Sequence, residues 1–406
     1  MGDDEILALE REVARGDEGA RLRLGRALER AGRSDDALLA LRDGIDEPAV
    51  RQELARFPAW SHARASSGRT HFVDVAPVTR APRVRWRAET GEDPGLLVSP
   101  LAIAAGRGYV LDPRSGALRR SGAETMLALL GEVLLVGLGP VHADGHSLAA
   151  EDVFTGERFH ETPLPIDETK KGPRVHSDQY GFGLLVTAER FAVELETPRS
   201  SPRLLWHRPA PVPWFSEWGE SRRMTRRIEA ALKSKLILPD VVIFDSDGKA
   251  PLVLDRATGR QIRQLPSGLW VGDERGLVGT ADPGLVIHER GASRSFEADF
   301  IDVSALTPEW ILVVTMEDTI VATPRAGGGA TFEIGHAEDK VAVARETVVL
   351  ANKQGLAAVT IRGEPLWTLS NAELELETND HLEELALDAR RVYARTREGL
   401  LLCLEG

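Results

Sequence analysis

From residue 82 to its end the chain is written in short apolar runs cut by Gly, Asp and Pro. Tyr109-Val110-Leu111, Val133-Leu134-Leu135-Val136, Val241-Val242-Ile243-Phe244 and Ile311-Leu312-Val313-Val314 are typical. Runs this short, rich in β-branched residues and bounded by turn formers, predict strands joined by tight turns. Outside one insertion no long helical period interrupts them. An all-β region of this length exceeds a common sandwich and suits radial repetition, which leaves few open sheet edges.

The turns repeat. Asp112-Pro-Arg-Ser-Gly116, Asp152-Val-Phe-Thr-Gly156 and Asp255-Arg-Ala-Thr-Gly259 each follow an apolar strand and precede another. The aspartate side chain accepts turn amides, and glycine takes the left-handed backbone that closes the turn. Tryptophan recurs where strands end, at Trp86, Trp206 and Trp367.

These features resemble the PQQ-type β-propeller repeat, over roughly residues 82–406. The resemblance implies a mainly β fold, a closed β-propeller of four-stranded blades. At ~40 residues per blade the count is about eight, alternatively seven. The C-terminal Leu400-Leu-Leu-Cys-Leu-Glu-Gly406 is the lead-in of a repeat that lacks its Trp strand, and Val84-Arg85-Trp86 is that strand. Joining them closes the ring with a strand from each end. On this reading residues 1–90 are needed for the ring and residues 1–60 are dispensable to it.

Residues 1–57 form a helical module. Leu7, Ala8, Val13 and Ala14 are helically spaced, as are Leu22, Leu24, Leu28 and Ala31. Ser34-Asp35-Asp36 reads as an N-cap before Ala37-Leu38-Leu39. Residues 24–37 resemble a tetratricopeptide repeat (TPR): Leu24-Gly25, Leu28, Gly32, Ala37 and Leu41 fall on its positions, while Arg21 stands where that family has Trp. One TPR-like repeat is too short for a peptide-holding groove and fits a cap. Residues 58–81, broken by Pro58, Ser66-Ser67-Gly68 and Pro77, read as a linker with a short strand near 71–75. The β-propeller follows from 82 to 406, with a helical insertion at 209–235.

Charge and cysteine usage narrow the function. The net charge of −13 disfavours general polyanion binding, so nucleic acid is not the expected partner. A single cysteine excludes a disulfide framework and multi-cysteine metal sites. Residues 126–140, the longest apolar run, carry Glu132 and are shorter than the ~20 residues a membrane span needs, so they read as paired core strands. The acidic start lacks the basic and apolar segments of an export signal, and the expected location is cytoplasmic.

The PQQ-type resemblance implies, for the catalytic members, a quinone with calcium on the axis, often against adjacent cysteines. This chain departs from that pattern, and no cofactor is expected. His142, Asp144 and His146 could ligate a metal, but Pro140 and Gly145 place them in a loop, so no metal is assigned. Asp245-Ser-Asp247-Gly248 lacks the third alternating ligand of a calcium loop and reads as a hairpin turn. The glycines at 327–329 precede neither Lys-Ser/Thr nor a helix, and read as a flexible hairpin. Cys403, flanked by leucines, reads as buried and inert.

The insertion is the segment suited to a partner. Trp214, Phe215, Trp218, Arg222, Arg223, Arg226 and Arg227 combine aromatics and arginine, which dominate protein interfaces. The sequence therefore predicts a non-enzymatic scaffold for protein–protein contacts in a larger bacterial assembly. The alternative is a ligand-binding or quinoprotein-like enzymatic propeller using the axial cavity.

Overall fold

The computed structural model describes residues 3–17, 19–60, 71–93, 95–122, 125–138, 147–163, 175–177, 183–186, 191–194, 197, 199–201, 203–207, 236–238, 240–246, 249–266, 270–280, 284–289, 292–296, 300–377 and 380–406. Four helices come first: α1 (Asp3–Ala14), α2 (Ala20–Arg30), α3 (Ser34–Arg42) and α4 (Pro48–Leu54). Strands account for most of the other described residues, which are mainly β.

The strands sort into sheets along the chain. Seven sheets each use four consecutive antiparallel strands, the first running from Leu96–Val98 to Leu118–Arg120 and the last from Lys340–Ala344 to Pro365–Ser370. One further sheet is composite. It joins Leu382–Asp388, Arg391–Thr396 and Leu400–Glu405 to the early strand Arg83–Glu89, which pairs antiparallel with Leu400–Glu405. Of the two expected counts, about eight and alternatively seven, seven is the number of sheets continuous in sequence among the described residues; the closing sheet is assembled from the two ends of the β region. First strands of neighbouring sheets touch one another, as Leu96–Val98 touches both Leu382–Asp388 and Thr125–Leu130, so they line the axis. The result is a β-propeller.

Two of the three Asp-Gly turns, at Gly116 and Gly259, are partners of tryptophans, while Gly156 faces Arg120. Gly116, Gly156 and Gly259 have φ of 71°, 72° and 67°, and each amide bonds the carbonyl of its aspartate four residues before. Trp206, on the outer strand Arg203–His207, donates its indole N–H to the Arg256 carbonyl in the next sheet's turn at 2.7 Å. A Cβ on Gly259 would lie 2.5 Å from that indole. Trp86 repeats the arrangement on Gly116, again at 2.5 Å. Trp367 faces the composite sheet, where the two ends of the β region replace the turn, and bonds the Val78 carbonyl at 2.8 Å. Gly259→Ala should therefore cost about 2 kcal/mol or more, from left-handed strain plus overpacking. Gly328, with φ of 69° and open space around it, isolates the strain term. Equal urea midpoints for Gly259→Ala and Gly328→Ala would remove the tryptophan from this account.

The helices pack closely: a Cβ on Gly25 would meet the Leu41 side chain at 2.6 Å, so α2 and α3 approach where the small residue stands. The N-cap of α3 is Arg33 and makes no side-chain cap bond, so Ser34 begins the helix instead of capping it. Asp35 and Asp36 are engaged elsewhere, as described below.

Candidate functional site

Strand direction gives the ring two faces. One carries the turns between first and second strands and between third and fourth strands. The helices lie on it. From α3, Asp35 pairs with Arg345 at 2.6 Å and Asp36 with Arg390 at 3.5 Å. These arginines sit in equivalent turns of adjacent sheets, both at positive φ, 50° and 55°. Asp46 holds Arg114 at 2.8 Å, and Arg51 of α4 meets Glu132 at 3.3 Å. Arg51 and Arg119 lie on the Phe154 ring, 4.4 and 4.5 Å from its centroid. A cation over an aromatic face is favourable on electrostatic grounds.

The deepest contact is ionic. Arg42 and Asp388 are 2% and 3% exposed and 2.8 Å apart, and Arg42 also donates to the Ala389 carbonyl. Arg391 reaches Glu405 at 3.3 Å and the Pro113 carbonyl at 2.9 Å, and Arg85 binds the other oxygen of Glu405. Burial would raise Glu405, but the Arg85 hydrogen bond and the charges of Arg391 and Arg42 hold it below the ordinary carboxylate range. Cys403 and Tyr393 are fully buried beside them. Burial pushes the thiol up to about 12 and the phenol upward, so neither ionises near neutrality. The inert thiol expected for Cys403 is what the fold holds.

The residues after the helices reach the axis. Trp60 pairs antiparallel with Val98 of a first strand. Phe72–Val73 pairs parallel with Val343 and Ala344 of another, the one parallel pairing among the described strands. The Trp60 and His71 rings meet edge to face, 6.4 Å apart. Trp60, Val73, Val75 and Val78 join the core shared by α3, α4 and the composite sheet. Within 58–81 the described residues therefore line the inner wall and underlie the helices. The short strand expected near 71–75 forms as Phe72–Val73.

On the opposite face a recess of about 380 Å³ opens between sheets. His336, Asp339, Lys340, Lys353, His381 and Glu383 are among its lining residues. Lys353 pairs with Glu338 at 3.0 Å, and the His381 ring lies 3.3 Å from Glu383. Among the described residues no group of three or more His, Cys, Asp or Glu could hold a metal ion. Cys403 is the chain's single cysteine and is sealed inside a sheet, and Trp60 with Phe72–Val73 covers inner strands at the helical face. That arrangement does not fit a quinone held on the axis against a cysteine pair.

Trp214, Phe215, Trp218, Arg222, Arg223, Arg226 and Arg227 lie outside the described residues, as do His142, Asp144 and His146. The strands flanking the insertion, Arg203–His207 and Leu236–Ile237, are the fourth of one sheet and the first of the next. Their facing ends are on the recess side, opposite the helices. Asp245 lies in the strand Val241–Ser246, whose Ser246 pairs with Lys249; residues 247–248 are outside the description. Gly327 and Gly328 form a positive-φ turn, and a Cβ on Gly327 would lie 2.5 Å from the Phe296 ring, so that turn packs on the neighbouring sheet. Sequence reasoning missed Arg42, Asp388 and Arg391. No helix of the described residues is long and apolar enough to cross a membrane.

No protein-family model matches the chain, and no curated protein matches it. Solved structures do. BamB from Moraxella catarrhalis has a TM-score of 0.52 at 13% identity, covering 80% of this chain and 100% of that one. The computationally designed Ika8 protein has a TM-score of 0.53 at 13% identity, covering 83% and 99%. The quinohemoprotein alcohol dehydrogenase ADHIIG from Pseudomonas putida HK5 has a TM-score of 0.51 at 11% identity, covering 88% and 82%. Identities this low speak to fold alone, and that fold is the β-propeller built by the sheets described above.

Proposed function

We propose that the protein is a non-enzymatic scaffold, a propeller platform for partner proteins in a bacterial cytoplasmic assembly. The observation that carries this reading is the division of labour between the two faces. One is committed to the chain's own helices through Arg42–Asp388 and the ion pairs around it. The other receives the ends of the two strands, Arg203–His207 and Leu236–Ile237, that flank the arginine-rich insertion. The TPR-like hairpin then serves as a cap on the ring rather than as a peptide-binding array. The insertion is the docking element, and Arg222, Arg223, Arg226 and Arg227 would draw an acidic partner surface with salt-sensitive association.

The test is a quadruple Arg→Glu variant at these positions, made in the native host with the wild type alongside. Unchanged thermal stability with loss of the cross-linked partners of the wild type supports docking there. Full retention of those partners overturns it. The quinohemoprotein likeness raises the axial-ligand alternative, and the apolar segment on the inner wall at the helical face argues for the scaffold. Fractionation of native cells checks the location.

A further inference from the structure

We propose that the helical module is a clamp on the seam of the ring: its docking holds shut the composite sheet that joins the two ends of the β region. Rings closed by strands from distant parts of a chain are open to fraying there, because the closing strand's partners are non-local and the loss of one ladder exposes an edge. The closing ladder here is Arg83–Glu89 on Leu400–Glu405.

The module straddles that seam. Asp35 reaches the sheet before it, through Arg345, and Asp36 reaches the composite sheet, through Arg390. Asp46 reaches the sheet after it, through Arg114, and Arg51 the next one, through Glu132. Asp35 also accepts the Ala76 amide at 3.0 Å, while Ala76 accepts the Arg390 amide at 2.8 Å, which ties the axial segment into the same joint.

Arg42 is the coupling residue. Its guanidinium binds Asp388 on the first strand of the composite sheet and lies 3.8 Å from Glu405 on the third. Glu405 is in turn held by Arg85 of the closing strand and by Arg391 of the second. One buried side chain of the module therefore meets the charge network that spans all four strands of the seam. Its Nη2 donates to Asp388 and to the Ala389 carbonyl, while Nε and Nη1 make no hydrogen bond, so Nη1 meets Glu405 through charge alone. Without Arg42, Asp388 and Glu405 lose a counter-charge in a low-dielectric joint, where an unpaired carboxylate is costly.

Amide hydrogen exchange on the full-length protein tests the clamp. In Arg42→Met, exchange in 83–89 and 400–405 should accelerate by about tenfold or more, because sub-global opening reports local free energy. Strand Trp310–Thr315, on a sheet away from the seam, should hold its wild-type rate. Acceleration confined to the helices, with the closing strands unaltered, overturns the proposal. So does equal acceleration everywhere, which would make Arg42 a global stabiliser. Should Arg42→Met fail to fold, the half-exposed pair Asp35→Asn with Asp36→Asn gives the same readout, with about threefold acceleration expected at the seam. No change at 83–89 in that variant, with the helices loosened, overturns it equally.

Discussion

Removal of residues 1–60 is expected to lower the melting temperature by roughly 6 °C or more, a loss on the order of 5 kcal/mol in a chain of this size. A dispensable helical module would leave the ring unmoved. The structure argues otherwise, because Leu38, Leu41, Ile45, Val50, Leu54 and Trp60 are buried in the same cluster as Trp86, Tyr393 and Leu404. Their loss uncovers Val73, Val75 and Val78, and apolar area returned to water costs about 25 cal/mol per Å². Removal of residues 1–90 goes further. It takes away Arg83–Glu89, reopens the edge of Leu400–Glu405 and strips Trp86 from Gly116. That truncation is expected to be insoluble or unfolded. Calorimetry on the two truncations beside the full chain decides the matter, and a 1–60 deletion that melts like the wild type would separate module from ring.

Local signals carry the sequence reading far, and apart from the N-cap of α3 its failures are non-local. Asp at the start and Gly at the end of each turn could be read because the amide and carbonyl they satisfy are within four residues. Trp206 could be counted as a strand-end marker, yet its partner is the turn of the next sheet, and nothing local connects Trp206 to Gly259. Residues 58–81 read as a linker because Pro and Ser-Gly dominate them. The spacing of Val73, Val75 and Val78 was too short a run to outvote that composition, although all three are buried. Asp35 and Asp36 match a helix start, and Asp36 does pair locally with Arg33, but both also meet arginines more than 300 residues away. Arg42 ends an apolar helix, where a charge ordinarily meets solvent. Only the tertiary fold puts Asp388 beside it. The insertion that the sequence favoured for partner contact owes its standing to composition, and the structure adds the face on which its flanking strands end.

Arg395→Ala is expected to destabilise the protein by about 3–5 kcal/mol, the range for removing one partner of a buried pair. Arg395 is 1% exposed and stands on the second strand of the composite sheet, at the end away from the helices. Its guanidinium donates to the Thr90 hydroxyl at 3.1 Å, to Glu384 at 3.0 Å, and to the carbonyls of Gly91 and Asp93. Thr90 in turn bonds the Gly399 carbonyl through both its amide and its hydroxyl, at 2.8 Å each. The chain leaving the closing strand is thus stitched to the sheet it closes, and Glu384 extends the stitch by accepting the Gly95 amide at 2.9 Å. Truncation at Arg395 strands these acceptors beside an emptied volume, and water entering it replaces only part of what the planar five-donor fork satisfied. Arg395→Lys keeps the charge but loses the fork, so it should recover Glu384 and leave the backbone carbonyls short, giving an intermediate loss. Urea denaturation of the three proteins gives the order directly. If Arg395→Lys matches the wild type, charge alone holds this end of the seam. If Arg395→Ala matches the wild type, ring closure depends on the helical face and on the backbone ladder, and the second stitch contributes nothing.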